Sequence, residues 1–492
     1  MDLQELRSQI DTIDDELVRL FCRRMEVAAK IADYKKAHGL PILVPAREAE
    51  KLEDVAAKAG SPMADYTRRL YAQLFELSRD YQAQQSRTVK CGLLGHKLAH
   101  SYSPKIHGFL GDYPYELYEK EPEEIESFLK NGDYTGLNVT IPYKKTVISY
   151  LDELSPAARK LGAVNTIIRR SDGTLYGHNT DYFGFQSMVK RSGVDVSGKK
   201  VLVLGSGGAS NTAVAVLEEL GANVIVISRT GENNYENLGR HFDARVIVNT
   251  TPVGMYPNTG SAPLDLMNFD QVEAVLDVIY NPARTQLMLD AENLSIPMEN
   301  GLWMLVAQAK ESAEYFLGKA LDDSLIARIH RRLSSEMQNI ILIGMPGCGK
   351  TTIGQALAHR LGREFMDSDE EIVRMAGKSI PEIFAEDGEE AFRVWETKAL
   401  ISLGKRSGLI IATGGGCVTQ LRNYPFLHQN GTIFWLCRDL EKLPTDGRPL
   451  SQATPPAILY QKRERLYRAF SDHIIDNDGL PEDTVSAILD RL

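Results

Sequence analysis

Residues 339–358 constrain the architecture of the last third of this chain more tightly than any other stretch. An apolar run, Asn339-Ile340-Ile341-Leu342-Ile343, leads into Gly344-Met345-Pro346-Gly347-Cys348-Gly349-Lys350-Thr351. Thr352 through Ala358 then reads as a helix. A G-x-x-x-x-G-K-T turn between a buried strand and a helix is a phosphate-binding loop. Its backbone N–H groups converge on an anion, and the helix N-terminus adds positive partial charge. The pattern predicts an α/β domain with a parallel sheet. At roughly 150 residues per domain, the 492-residue chain has room for about three domains, so most of it precedes this motif.

The sequence ahead of residue 89 is helical in texture. Apolar residues recur at Leu3, Leu6, Ile10, Ile13, Leu17, Leu20, Val27 and Ile31, a helical spacing held over about ten turns. Residues 46–59 and 65–84 read as two further helices. From Val89 short β-branched runs appear: Cys91–Leu94, Gly136–Val139, Lys200–Leu204 and Asn223–Ile227. Helical stretches separate them, which is α/β patterning. The polar stretch Gln82–Thr88 and the stretch Leu333–Glu336 are candidate boundaries, giving expected domains 1–86, 89–333 and 337–492.

The net charge of −10 argues against a nucleic-acid or anionic-membrane partner. Cys22, Cys91, Cys348, Cys417 and Cys437 are odd in number and lack C-x-x-C or metal spacing, as expected of reduced thiols in a cytoplasm. No apolar run approaches a membrane span, and the N-terminus lacks the basic start and apolar core of a signal peptide.

Within residues 1–86, the apolar stripe of the first helix is interrupted by Arg24 and Lys35. A cation on a core-facing stripe costs desolvation unless it is paired. Together with Leu6-Arg7, Arg23-Arg24, Arg47-Glu48 and Gln82, this layout resembles the all-helical chorismate mutase family. The resemblance implies rearrangement of chorismate to prephenate, a unimolecular step that needs a folded dianion and a stabilised ether oxygen. It implies that Arg7, Arg24 and Arg47 bind carboxylates, that Lys35 and Gln82 face the ether oxygen, and that Glu48 holds the hydroxyl. It also implies a homodimer, with the first-helix Arg reaching the partner's site. Val44 stands where family members often carry Asp.

In the middle segment, Gly205-Ser206-Gly207-Gly208-Ala209-Ser210 follows a strand and opens a helix, a dinucleotide-type turn. The next strand ends in Ser228-Arg229-Thr230. A cation with hydroxyl neighbours suits the 2′-phosphate of NADP better than the ribose of NAD. The Rossmann part is expected at about 195–300. His100 to Pro104, Asn138 to Lys144, Gly162 to Thr166, Asn179 to Asp181, Asn249 to Met255, Tyr280 to Pro282 and Gly301 to Ala309 together resemble shikimate dehydrogenase. The resemblance implies NADPH-dependent reduction of 3-dehydroshikimate to shikimate, with Lys144 and Asp181 at the proton transfer. It implies substrate contacts from Ser101, Ser103, Thr140, Asn165, Tyr280 and Gln308, and a cofactor contact at Gly301. Tyr182 stands where a Gly is common.

Beyond the phosphate loop, Asp367 and Asp369 are spaced by two, which on an extended segment would point both carboxylates the same way. Gly388 to Arg393, Thr413 to Thr419, Gly447 to Leu450 and Arg463 to Tyr467 follow, and this order resembles shikimate kinase over 337–492. The resemblance implies ATP held by Gly347, Cys348, Gly349, Lys350, Thr351 and Thr352, and Mg²⁺ held by Thr351 and Asp367. Asp369 would polarise the hydroxyl of shikimate, and Arg393 and Arg463 would clamp its carboxylate. Gly414, Gly415 and Gly416 would allow close backbone approach, and Arg448 would come from a lid within Pro449–Lys462 and its flank. Arg465 replaces the Pro usual before Leu-Tyr.

The expectation is a multidomain enzyme: an all-α N-terminal domain, an α/β dehydrogenase with a Rossmann part, and an α/β phosphate-loop kinase. Two alternatives stand beside it. The helical segment could be a non-catalytic dimerisation or regulatory module, and the dehydrogenase could act on quinate with NAD.

Overall fold

The computed structural model describes residues 2–38, 40–41, 44–86, 89–99, 101–443 and 455–492. The chain forms two compact units. The first comprises Met1–His178 with Ser312–Ala320, and the second comprises Asn179–Glu311 with Leu321–Leu492.

The first unit begins with three helices, α1 (Leu3–Ala37), α2 (Pro45–Ala59) and α3 (Ala64–Ser86), with no strand among the described residues there. Proline opens α2, where its missing N–H costs nothing. The expected core-facing stripe of α1 is not covered. Leu3 is 65% exposed, Ile10 57% and Leu17 55%, whereas Met25, Ala28 and Ala32 are buried. Among the described residues, only the C-terminal third of α1 therefore packs inside the chain.

Six strands follow: β1 (Cys91–Gly95), β2 (Tyr115–Glu119), β3 (Gly136–Val139), β4 (Glu153–Leu154), β5 (Thr166–Arg169) and β6 (Leu175–His178). Their order is β2-β1-β3-β5-β6-β4. β1 pairs in parallel with β2 and β3, while β5 runs antiparallel to β3 and β6. Every residue of β1 and β3 is buried, the pattern of strands covered on both faces. Ser312–Ala320 returns to this unit, and Asn138 Nδ2 donates to Ser312 Oγ at 2.8 Å.

The second unit holds two five-stranded parallel sheets. β7 (Lys200–Leu204), β8 (Asn223–Ile227), β9 (Val246–Asn249), β10 (Ala274–Asp277) and β11 (Met298–Asn300) lie in the order β11-β10-β9-β7-β8. β12 (Asn339–Ile343), β13 (Phe365–Asp367), β14 (Ile410–Ala412), β15 (Gly431–Cys437) and β16 (His473–Asp476) lie in the order β13-β14-β12-β15-β16. β12 sits at the centre and is wholly buried, so the loop after it emerges at the C-terminal edge of the sheet, where open α/β sheets bind ligands.

Candidate active sites

The kinase-like site is the most fully built. Gly344, Gly347 and Gly349 have φ of +143°, +84° and +97°, so the loop takes turns that side chains disfavour. Gly349 caps the helix Lys350–Leu361. Lys350 folds back, its Nζ donating to the carbonyls of Gly344 and Met345 at 2.9 Å. Asn477 Nδ2 donates to the Cys348 carbonyl at 2.6 Å, pinning the loop from the end of β16.

Thr351 Oγ1 donates to Asp367 Oδ2 at 3.0 Å. Asp367 ends β13, and its Oδ1 accepts from Asp369 N–H at 2.9 Å. Asp367 thus caps the helix Ser368–Ala376, and Asp369 lies in that helix's first turn. This corrects the extended reading of the pair: an Asp that can accept from the next-but-one N–H favours a cap over a continued strand. β14 also lies between β13 and β12.

Asp369 is held up to about 6 by burial first and by the Asp367 carboxylate second, against Lys350 and Arg393. Its Oδ1 is buried without a hydrogen-bond partner, and so is Glu396 Oε1. Burial likewise raises Glu396, although Arg393 opposes the shift. Arg393 Nη1 donates to Glu396 Oε2 at 2.9 Å and Nη2 to Glu389 at 3.1 Å.

The three glycines form a shelf between these groups. A Cβ on Gly414 would meet Asp369 Oδ1 at 2.9 Å and Glu396 Oε1 at 3.1 Å, and one on Gly416 would meet the Arg393 guanidinium. Arg463 Nη1 donates to the Gly415 carbonyl at 3.1 Å. A cavity of about 750 Å³ joins Gly347, Gly349, Lys350, Thr351 and Thr352 to Asp367, Asp369, Arg393, Arg463 and the glycine shelf.

Sequence reasoning missed Glu396 and Arg438, which line the same cavity. Glu396 lies one helical turn after Arg393, a position that equally suits a surface ion pair. Arg438 follows β15, and its Nε is buried without a partner. Arg448 lies outside the described residues. Part of the expected lid is helix instead, running Pro456–Phe470 with Pro at its start.

The helical site is a cavity of about 790 Å³ lined by Arg24, Lys35, Arg47, Glu48 and Gln82, with Val44 in its wall. Arg24 donates to Ser78 Oγ and, at 3.3 Å, to the Leu74 carbonyl. Arg79 Nη1 donates to both Glu48 oxygens, at 2.7 and 2.6 Å. Arg47 pairs with Glu50 at 2.9 Å. Ser78 and Arg79 were missed, although their one-turn spacing from Gln82 places them on its face. Arg7 does not line this cavity; at 1.5 Å per residue it lies about 25 Å along α1 from Arg24.

The dehydrogenase residues divide between the units. In the first, Ser103 N–H donates to Ser101 Oγ at 3.2 Å, and Asn165 is buried with its Oδ1 accepting from Thr166 at 3.1 Å. Thr140 N–H donates to the Leu94 carbonyl, and the Lys144 carbonyl accepts from Val164 N–H at 2.8 Å. Asn138 was missed as a hub: it donates to Thr166 and Ser312 and accepts from Tyr115 at 2.8 Å.

In the second unit, Gly205 has φ +108° and a Cβ there would meet Thr250 Oγ1 at 2.9 Å. Gly207 caps the helix Gly208–Glu219. Added Cβ atoms at Gly207 and Gly208 would meet nothing within 4 Å, and Ser206 is exposed beside them, with Ala209 half-buried. This open helix N-terminus suits a pyrophosphate. Arg229 and Thr230 are exposed, and Ser228 donates to the Thr230 carbonyl. Asp181 opens the helix Asp181–Ser192. Tyr280 and Gln308 are half-buried, and Gln308 accepts from Thr180 at 3.4 Å. A Cβ on Gly301 would collide with the Val278 carbonyl.

Three family models match the chain: Chorismate mutase type II over 6–83, Shikimate dehydrogenase substrate binding domain over 93–167, and Shikimate kinase over 346–492. A Shikimate dehydrogenase (NADP(+)) from Clostridium perfringens is 36% identical over 264 residues, 49% of this chain and 97% of that protein. Another, from Caldicellulosiruptor bescii, is 39% identical over 252 residues, 45% of this chain and 87% of that protein. A solved chorismate mutase/shikimate 5-dehydrogenase fusion protein from Clostridium acetobutylicum is 35% identical, with a TM-score of 0.48 over 51% of this chain and 98% of its own. The chain belongs to the shikimate dehydrogenase family, and it carries a chorismate mutase domain before its dehydrogenase segment and a shikimate kinase domain after it.

Proposed function

We propose that one polypeptide rearranges chorismate to prephenate, reduces 3-dehydroshikimate to shikimate with NADPH, and phosphorylates shikimate to shikimate 3-phosphate with ATP. The observation that carries this reading is Asp369: a buried carboxyl with an unpartnered oxygen, in one cavity with a phosphate-loop lysine and three arginines, Arg393, Arg438 and Arg463.

ATP supplies the phosphoryl group. The chain's part is positioning and charge. Arg393 and Arg463 hold the shikimate carboxylate through planar guanidinium forks, and Glu396 fixes the orientation of Arg393. Asp369 accepts the hydroxyl proton, and its raised pKa places it close to working pH. Lys350 turns from the loop carbonyls to the phosphates. Thr351 and Asp367 present oxygens 3.0 Å apart at the loop mouth, a hard donor set that would hold Mg²⁺.

In the dehydrogenase, NADPH supplies hydride. Lys144 gives a proton to the alkoxide and Asp181 orients it. Ser101, Ser103, Thr140, Asn165, Tyr280 and Gln308 hold the substrate. Gly205 to Ala209 and Gly301 admit the dinucleotide, and Ser228, Arg229 and Thr230 take the 2′-phosphate. In the mutase, Arg24 and Arg47 fold the dianion while Lys35 and Gln82 face the ether oxygen. Arg7 serves a second copy, and the uncovered stripe of α1 is the surface that the copy covers, making a homodimer. In this reading the protein is cytoplasmic, with neither nucleic acid nor membrane as partner. No helix among the described residues is long and apolar enough to cross a membrane.

The test is direct. Full-length protein with 3-dehydroshikimate, NADPH, ATP and Mg²⁺ is expected to form shikimate 3-phosphate, and separately to form prephenate from chorismate. Loss of the prephenate signal alone would make the helical segment a non-catalytic module. Loss of phosphorylation would overturn the reading of Asp369.

A further inference from the structure

The segment between β10 and the helix Gln286–Asn293 carries Tyr280, and it is gripped from two sides within the second unit. The nucleotide fold supplies one side. Asp277 is fully buried and accepts from Ile279 N–H at 3.0 Å, Thr285 Oγ1 at 2.7 Å and Asn249 Nδ2 at 3.1 Å. Asn300 Nδ2 donates to the Ala283 carbonyl at 2.9 Å, and Gly301 N–H to the Ile279 carbonyl at 3.0 Å.

The kinase domain supplies the other side. Asn430 Oδ1 accepts from Ala283 N–H at 2.8 Å. The Gln429 carbonyl accepts from Arg284 N–H at 2.8 Å, and the His428 carbonyl accepts from Arg284 Nη1 at 2.8 Å. Ser407 Oγ donates to Asn281 Oδ1 at 3.4 Å. Asn430 is only 3% exposed and is itself fixed, its Nδ2 donating to the Gly404 and Lys405 carbonyls at 3.2 Å. Two consecutive main-chain donors of a dehydrogenase loop are therefore satisfied by kinase acceptors. Leaving such part-buried donors unpaired is costly.

We propose that the kinase domain positions the substrate loop of the dehydrogenase, with Asn430 acting through Ala283 to hold Tyr280. Asn430 is a positioning residue for shikimate oxidation and not a catalytic one. The inference rests on the assignment of Tyr280 to the shikimate site. It gives the fusion a physical consequence: the dehydrogenase borrows rigidity from the domain that uses its product.

The test uses the full-length chain in the oxidation direction. Asn430→Ala removes the acceptor for Ala283 and is expected to raise the KM for shikimate about tenfold, the effect of one part-buried hydrogen bond, with the KM for NADP⁺ unchanged. Asn430→Asp keeps Oδ1 and loses both donations into the kinase interior. It is expected to restore the shikimate KM, which a merely structural role would not do. Should Asn430→Ala fail to fold, Arg284→Ala removes the donation to His428 from the dehydrogenase side and is expected to shift the same KM in the same direction. Unshifted shikimate KM values, or equal rises for the Ala and Asp variants, would overturn the proposal. A parent chain that does not oxidise shikimate would instead overturn the assignment of Tyr280.

Discussion

Replacing Asp369 by asparagine exchanges one buried oxygen for an amide and removes a titrating group without changing the side chain's volume. The carboxyl moves from 3.8 to about 6 on folding. At 1.36 kcal/mol per pKa unit, that is about 3 kcal/mol of strain once the group is ionised in both states. The sign follows from the direction of the shift. A carboxyl raised in the folded state contributes stability that is fully present below 3.8 and is lost as pH rises through about 6. The amide of the Asp369→Asn variant does not titrate. The variant's stability relative to the parent is therefore expected to rise by up to about 3 kcal/mol between pH 4 and pH 7.5, read by amide exchange in β12 through β15. At pH 7.5 the same variant is expected to lose about 10²–10⁴-fold in phosphorylation kcat, the usual worth of a positioned proton acceptor. A loss of less than about tenfold would refute the proton-acceptor role. A stability difference that stays flat from pH 4 to 7.5 would refute the account of the burial.

Lys144→Ala is expected to abolish shikimate oxidation while leaving NADP⁺ affinity within about threefold, measured by fluorescence titration; near-parent turnover would remove Lys144 from the mechanism. Arg229→Ala is expected to lower the NADP⁺ over NAD⁺ preference by about tenfold or more in kcat/KM, and an unchanged ratio would remove Arg229 from the 2′-phosphate site. Ile13→Glu places a charge on the uncovered stripe of α1, where Ile13 is 54% exposed. The full chain should then sediment as a monomer and stop forming prephenate, whereas unchanged sedimentation would show that α1 is not the subunit contact.

The parts of the fold most legible in the sequence were those where local chemistry leaves few choices. The glycines at 344, 347 and 349 require positive φ, so the phosphate loop announced itself. The second and third N-terminal helices end within two residues of their expected limits because nothing inside them competes with helix. The pairing of Asp367 with Asp369 was legible as chemistry and not as geometry, since cap and strand differ by one backbone turn that spacing does not encode. Glu396 and Arg438 were illegible because their meaning is burial, which belongs to the packed sheet. The same holds for Asn430, whose sequence neighbours say nothing about Ala283, more than a hundred residues away. The stripe on α1 was legible as apolar, yet spacing does not encode whether the described chain covers it, and it does not.

The return of Ser312–Ala320 to the first unit sets a timetable for synthesis. His178 completes that unit's sheet, but Ser312, which accepts from Asn138 Nδ2 and shares a hydroxyl–hydroxyl hydrogen bond with Thr166, emerges 134 residues later. At 5–20 residues per second, roughly 7 to 27 s pass on the ribosome with the sheet assembled and its polar hub unfilled. The nucleotide fold is translated within that interval, so it has the opportunity to fold first. The unit that begins the chain thus waits for a segment made after the nucleotide fold, and a stall in translation before residue 312 would leave its assembled sheet, with the hub unfilled, exposed to aggregation.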